Sequence, residues 1–176
     1  MSSDKKLKPE TLAISAGRPV PVPDGELNTP IALNSTFHAG GPIGYGRYGN
    51  ETWTSLESAI SALEGGETLV FASGQAAATA IFNLLPIGAP VVVSDEGYQG
   101  VAALLKSYHE SGRLEVRFVE ATNTAAVLEA AKGAALLWLE SPTNPALEHV
   151  DLKTIIAGAK KLGVGVAVDN TLATPL

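Results

Sequence analysis

The sequence has no cysteine among its 176 residues, and it has no long apolar run. The lack of cysteine excludes disulfide bonds and cysteine-ligated zinc, and it fits a reducing compartment. No apolar run approaches the roughly 20 residues of a membrane-spanning helix, and no apolar signal segment follows the lysines near the N-terminus. We therefore expect a cytoplasmic protein that makes no membrane contact.

Basic residues are also few, because 12 Lys and Arg stand against 18 Asp and Glu, which gives a net charge of −6. Nucleic-acid binding needs an excess of positive charge, so this composition argues against it. The three histidines are scattered without the spacing of metal ligands. The sequence also has no phosphate loop of the nucleotide-hydrolase type and no nucleophile elbow of the serine-hydrolase type.

Residues 44–49 match the pattern G-x-G-x-x-G of dinucleotide-binding domains. The context differs from that motif, because Gly40, Gly41 and Pro42 precede it instead of a strand. The next predicted strand also lacks the acidic residue that would hold a ribose. A nicotinamide-dependent dehydrogenase is therefore the least favoured interpretation.

Residues 1–50 are rich in glycine and proline and show little periodicity. The segment 17–25 alternates proline with other residues between two glycines, so it is incompatible with a helix or an inner strand. We predict an extended N-terminal arm whose apolar residues Ile31, Leu33 and Phe37 lie on another surface, such as a neighbouring subunit. Residues 51–176 are predicted to be the first part of an α/β domain.

From residue 51 onward, apolar strand patterns alternate with helix patterns. The strands are apolar throughout, which indicates burial on both faces and a mainly parallel sheet flanked by helices. Thr54 and Glu57 predict a capping box for the first helix, and Gly65 predicts its end. The predicted strands are 68–72, 90–94, 115–119, 134–140 and 164–168, and the later helices are 75–85, 98–110, 124–132 and one from an Asp151 cap to Leu162.

Ligands of such sheets bind at the carboxyl ends of the strands, where this sequence has several polar residues. Ser73, Gly74 and Gln75 lie between a strand and a helix, whose free N–H groups could bind phosphate or could form only an ordinary capped turn. Asp169 ends a buried strand, where it could pair with a protonated ring nitrogen or merely cap the next turn.

Three further features carry weaker signals. Two prolines within residues 140–145 make a stiff loop that would hold Asn144 in a fixed pose, although a plain rigid turn has the same pattern. Tyr98 could stack on a planar ring or simply pack on the sheet. Arg47, close to Tyr45, suits phosphate contact, but an arginine in a glycine-rich loop is usually only solvated.

In this order, the motifs resemble those of the Cys/Met metabolism enzymes that depend on pyridoxal 5'-phosphate (PLP). The resemblance covers nearly the whole chain from about Asn28, and its most specific strings are E-S-P-T-N-P at 140–145 and V-D-N-T at 168–171. It implies that residues 51–176 are an incomplete large domain of the fold type I class of PLP-dependent transferases.

The resemblance also implies two sets of phosphate contacts. Gly74 and Gln75 would donate backbone N–H groups to the cofactor phosphate, beside Ser73. Tyr45 and Arg47 would reach the phosphate of a neighbouring subunit, so that the site would be shared within a homodimer or homotetramer.

A second group of residues would bind the cofactor ring. Tyr98 would stack on the ring, and Asn144 would bond to its phenolic oxygen. Asp169 would pair with the ring nitrogen and keep it protonated, supported by Thr171. Tyr98 and Asp169 are therefore the catalytic residues that the resemblance implies within the chain.

The reaction implied is elimination or replacement at the γ-carbon of a small amino acid, as in cystathionine γ-synthase or γ-lyase. Cystathionine β-lyase, methionine γ-lyase and O-acetylhomoserine sulfhydrylase are the alternatives within the family, and a non-catalytic PLP-binding fragment is the alternative outside it. The family's Schiff-base lysine and its substrate-binding arginine are expected beyond Leu176. We therefore expect the chain alone to be inactive without a C-terminal remainder.

Overall fold

The computed structural model describes residues 7–176, so the first six residues of the predicted arm lie outside the described residues. The chain divides into two compact units. The first comprises Met1–Phe71 with Pro175–Leu176, and the second comprises Ala72–Thr174. The division falls after Phe71, later in the chain than the boundary expected after residue 50.

The first unit contains a short helix that the sequence analysis did not anticipate. Helix α1 spans Pro9–Ser15, within the region where only extended chain was expected. Pro9 is at the start of this helix, where its fixed φ is favourable and its missing N–H costs nothing. The prediction missed this helix because it was based on the high glycine and proline content of residues 1–50 as a whole.

Helix α2 spans Glu51–Glu64 and begins before the predicted cap at Thr54. Asn50 is the actual N-cap, and its extended backbone lets its side chain accept a hydrogen bond from the Thr52 N–H at 2.9 Å. The helix ends at Gly65, as predicted.

The residues before α2 are fastened to its first turns by polar contacts. The Asn50 side chain donates to the Ala32 carbonyl at 3.1 Å, and the Ala32 N–H donates to the Thr52 hydroxyl at 2.8 Å. Gly17 has a φ of +76°, and a Cβ there would lie 2.3 Å from the Ser55 carbonyl oxygen, so only glycine fits. Ile31, Leu33 and Phe37 are exposed, with Leu33 at 96%.

The second unit is a parallel four-stranded sheet with helices on both faces, which confirms the predicted fold class. In chain order the elements are α3 (Gly74–Asn83), β1 (Ala89–Ser94), α4 (Gln99–Glu110), β2 (Leu114–Val119), α5 (Thr124–Ala130), β3 (Leu136–Glu140), α6 (Leu152–Leu162) and β4 (Gly165–Asp169). The strand order in the sheet is β2-β1-β3-β4. No helix within residues 7–176 is long and apolar enough to cross a membrane.

Two apolar layers cover the two faces of this sheet. One layer contains Phe82 and Trp138, whose rings lie 4.9 Å apart, and the other contains Leu137 and Ile155. The central strands β1 and β3 are buried on both faces, as predicted. The outer strands are only partly buried, and Phe118 of β2 is 50% exposed, so the prediction of complete burial was wrong for them.

The prediction of a strand at residues 68–72 was also wrong. In the described part of the chain this segment is irregular, and Leu69, Val70 and Phe71 are exposed. An apolar run becomes a strand only where a neighbour supplies hydrogen bonds, and no described residue pairs with this one.

Candidate active site

A cavity of about 300 Å³ opens at the carboxyl edge of the sheet in the second unit. It lies where β3 and β4 end and where helices α3 and α4 begin. Seven of the predicted site residues line it together, namely Ser73, Gly74, Gln75, Tyr98, Asn144, Asp169 and Thr171.

The start of α3 presents unused backbone donors to this cavity. The Ser73 hydroxyl caps the helix by accepting from the Ala76 N–H at 3.1 Å, which leaves the N–H groups of Gly74 and Gln75 without an acceptor among residues 7–176. Gly74 and Gln75 both line the cavity, and a Cβ on Gly74 would meet no atom within 4 Å, so this first turn of α3 borders open space. The Gln75 amide donates to the Gly100 carbonyl at 3.1 Å and ties α3 to α4.

Asp169 is the last residue of β4, and Thr171 holds its carboxylate in place. The Thr171 N–H and hydroxyl both donate to Asp169 Oδ1, at 3.0 and 2.6 Å. Oδ2 accepts no hydrogen bond from the described residues. One oxygen therefore fixes the orientation of the carboxylate, and the other stays available to a ligand.

Glu140, the last residue of β3, lies beneath the other cavity residues and is only 6% exposed. Its Oε2 accepts from the Tyr98 N–H at 2.7 Å, and its Oε1 accepts from the Asn144 N–H at 2.7 Å. Burial raises the pKa of Glu140, the two N–H bonds oppose that rise, and the charge of neighbouring Asp169 adds to it.

The loop that carries Asn144 is anchored by two buried residues. The Ser141 hydroxyl accepts from the Val150 N–H at 3.2 Å, and the Thr143 hydroxyl accepts from the Glu148 N–H at 3.1 Å. The side chains above these anchors are accessible, with Tyr98 at 49% exposure and Asn144 also exposed. A fixed backbone thus holds accessible side chains at the cavity.

Glu140, Ser141 and Thr143 belong to the E-S-P-T-N-P string but are not among the predicted site residues. A charged residue at the end of a fully buried strand was a signal for Glu140. The N–H donor of Asn144 lies in the loop that directly follows Glu140, but that of Tyr98 lies 42 residues away in the sequence, so only the folded structure identifies this second contact.

Tyr45 and Arg47, the remaining two predicted residues, belong to the first unit. The Arg47 guanidinium lies 4.8 Å from the centre of the Tyr45 ring, which is a cation–π contact. Their predicted contact with the phosphate of a neighbouring subunit stays a prediction.

Comparison with known proteins identifies the class to which this fold and this cavity belong. The profile of the family described as "Cys/Met metabolism PLP-dependent enzyme" matches residues 10–176. The chain is a member of that family, as the motif resemblance implied, and the family uses PLP.

Individual relatives give the same result. A Streptomyces coelicolor protein named "Putative cystathionine gamma-lyase" is 43% identical over 94% of this chain, and the cystathionine beta-lyase of Coxiella burnetii is 36% identical over 99%. The crystal structure of cystathionine gamma synthase from Xanthomonas oryzae in complex with cystathionine superposes with a TM-score of 0.87 at 30% identity over 96% of this chain. The match spans 44%, 47% and 46% of the lengths of these three proteins, which is less than half of each.

The cavity has groups that fit the phosphate, the ring nitrogen and the ring face of PLP. Open space and two free N–H groups at the start of α3 suit a phosphate, and the free Oδ2 of Asp169 suits a protonated ring nitrogen. The half-exposed Tyr98 ring offers a stacking surface. The volume of about 300 Å³ lies within the ordinary range for small-ligand pockets.

Proposed function

We propose that the full-length protein is a trans-sulfuration enzyme that binds PLP in this cavity and catalyses elimination or replacement at the γ-carbon of a sulfur amino acid. One observation carries the proposal: the start of α3 and the carboxylate of Asp169 open onto the same cavity. PLP has a phosphate and a ring nitrogen in one molecule. Its site therefore needs a phosphate-binding helix start and a carboxylate for the ring nitrogen in the same cavity.

Each cavity residue has a specific task in this proposal. The N–H groups of Gly74 and Gln75, with the Ser73 hydroxyl, bind the phosphate. Asp169 holds a proton on the ring nitrogen, and Thr171 keeps the carboxylate turned towards it.

Two further side chains orient the ring. Tyr98 stacks on it, and the Asn144 amide donates to its phenolic oxygen. Bound PLP would supply the electron sink that stabilises negative charge on the substrate α-carbon.

The negative charge of the cavity supports the proposal that another subunit contributes a cation to the site. Its walls contain two carboxylates, Glu140 and Asp169, and none of the described lining residues is basic. A phosphate would add further negative charge, so a cation from elsewhere would stabilise it. We therefore propose a homo-oligomer, a dimer or a tetramer, in which Arg47 and Tyr45 of one subunit reach the phosphate of the next.

The choice of the γ-carbon is supported by relatives named as cystathionine γ-lyases and γ-synthases, although β-lyases also match. A role in methionine biosynthesis or cysteine metabolism and a location in the cytoplasm belong to the same proposal. They follow from the predicted reaction and from the cysteine-free, acidic sequence.

The test is an assay of the full-length protein with PLP and two substrate sets. Cystathionine alone should yield cysteine, 2-oxobutanoate and ammonia if the enzyme is a γ-lyase. An acylated homoserine with cysteine should yield cystathionine if it is a γ-synthase. Homocysteine and pyruvate from cystathionine would contradict the γ assignment, and a protein that binds no PLP would contradict the whole proposal.

A further inference from the structure

We propose that Glu140 is a positioning residue of the PLP site, whose single carboxylate fixes the backbones of Tyr98 and Asn144 relative to each other. This inference rests on the proposed function, because it assumes that Tyr98 and Asn144 orient the PLP ring. Glu140 itself makes no contact with the cofactor in this account.

The geometry supports this role because one buried group joins two separate loops. Tyr98 follows β1, whereas Asn144 follows β3. Each donates its N–H to a different oxygen of Glu140, and both distances are 2.7 Å. No hydrogen bond joins Tyr98 directly to Asn144 in the described part of the chain. The carboxylate is therefore the group that the two loops share.

The chemistry of the two contacts requires a carboxylate at this position. Both partners are N–H donors, so the side chain between them must offer two acceptor oxygens. A glutamine has the same shape but only one acceptor, and its NH₂ group would face an N–H. Glu140→Gln therefore keeps the volume of the buried side chain but removes one hydrogen bond. It also places the new NH₂ donor against a backbone N–H donor.

Gly97 leaves the room that this carboxylate needs. A Cβ at Gly97 would lie 3.1 Å from Glu140 Oε2, a tight contact that would push the carboxylate away from the Tyr98 N–H. Gly97→Ala is thus a second way to disturb the contact, and it leaves Glu140 in place.

The experiment uses full-length wild-type protein, Glu140→Gln, Gly97→Ala and the control Glu148→Gln. Glu148 is exposed in the same loop, and within residues 7–176 it forms hydrogen bonds through its backbone atoms only, so it is a matched carboxylate. The dissociation constant of PLP is measured by quenching of intrinsic fluorescence. The circular dichroism of the visible band of bound PLP at saturation reports how the ring is oriented.

We expect Glu140→Gln to weaken PLP binding by roughly 10- to 100-fold, because one charge-assisted hydrogen bond is lost. We expect Gly97→Ala to weaken binding less, in the same direction. Both variants should change the circular dichroism of bound PLP, a property that a purely structural role would leave unaltered. Glu148→Gln should match wild type in both measurements.

The possible failures are distinguishable. Wild-type protein that binds no PLP would contradict the proposed function and this inference together. If wild type binds PLP and Glu140→Gln gives the same affinity and the same spectrum, only the role of Glu140 is refuted. If Glu140→Gln does not fold, Gly97→Ala decides: unchanged affinity and dichroism refute the role, and a change in both supports it.

Discussion

Replacing Asp169 with asparagine tests the electrostatic core of the proposed site. Both hydrogen bonds from Thr171 go to Oδ1, and an amide oxygen can accept both, so Asp169→Asn should keep the geometry. The group at the position of Oδ2 becomes an NH₂ donor, which cannot accept a hydrogen bond from the protonated ring nitrogen of PLP. The variant should therefore retain PLP while the ring loses its proton.

The size of the effect follows from the bond that is removed. A hydrogen bond to a charged group contributes about 1.5–3 kcal/mol, which corresponds to lowering the pKa of the ring nitrogen by roughly one to two. Since each 1.4 kcal/mol of lost stabilisation is about tenfold in rate, turnover should fall at least about tenfold.

The assay combines turnover of the full-length enzyme with the ¹⁵N chemical shift of labelled PLP, which reports protonation of the ring nitrogen. Asp95→Asn is the control, because Asp95 also follows a strand at this edge of the sheet but does not line the cavity. A variant at Asp169 with normal turnover and an unchanged shift would refute the role of this carboxylate.

Three other predictions concern the rest of the chain. Arg47→Ala should weaken retention of PLP by the full-length oligomer during dialysis while Arg18→Ala does not, and equal retention would show that Arg47 does not reach the phosphate. Leu137→Ala, at a fully buried position in β3, should lower the free energy of unfolding by about 2–5 kcal/mol in a denaturant titration, and a change under about 0.5 kcal/mol would contradict the described core. The Thr154 N–H lowers the pKa of the capping residue Asp151, so ionised Asp151 stabilises the fold above its usual pKa of 3.8, and this contribution disappears as the pH falls below that value. Asp151→Ala should therefore destabilise the protein at neutral pH but much less in acid, and an equal loss at both pH values would exclude this cap as the cause.

The regular part of the fold was predictable because its signals are local. The cap at Ser73, the glycine after α2 and the continuous apolar run of β3 each mark an element within a few residues of sequence. One error was local, because Thr54 has a capping pattern, yet Asn50 caps the helix one turn earlier. Another arose where a partner distant in sequence decides the outcome, because residues 68–72 have the composition of a strand but no described residue pairs with them.

Most residues of the candidate site could be predicted from the sequence, but the contacts that hold them in place could not. Asn144 and Asp169 could be identified because polar groups that follow the strands of a parallel sheet meet at one edge, and Gly74 could be identified because it follows the Ser73 cap at the start of α3. The link from Glu140 to Tyr98 and Asn144 could not be identified, because it depends on the distance between loops that only the folded chain brings together.

The central claim is that one PLP molecule bridges the start of α3 and the end of β4. The most direct test is a crystal structure of the full-length protein with PLP. The phosphate should lie within hydrogen-bond distance of the Gly74 and Gln75 N–H groups, and the ring nitrogen should lie against Asp169. Density for PLP at another place, with this cavity empty, would contradict it.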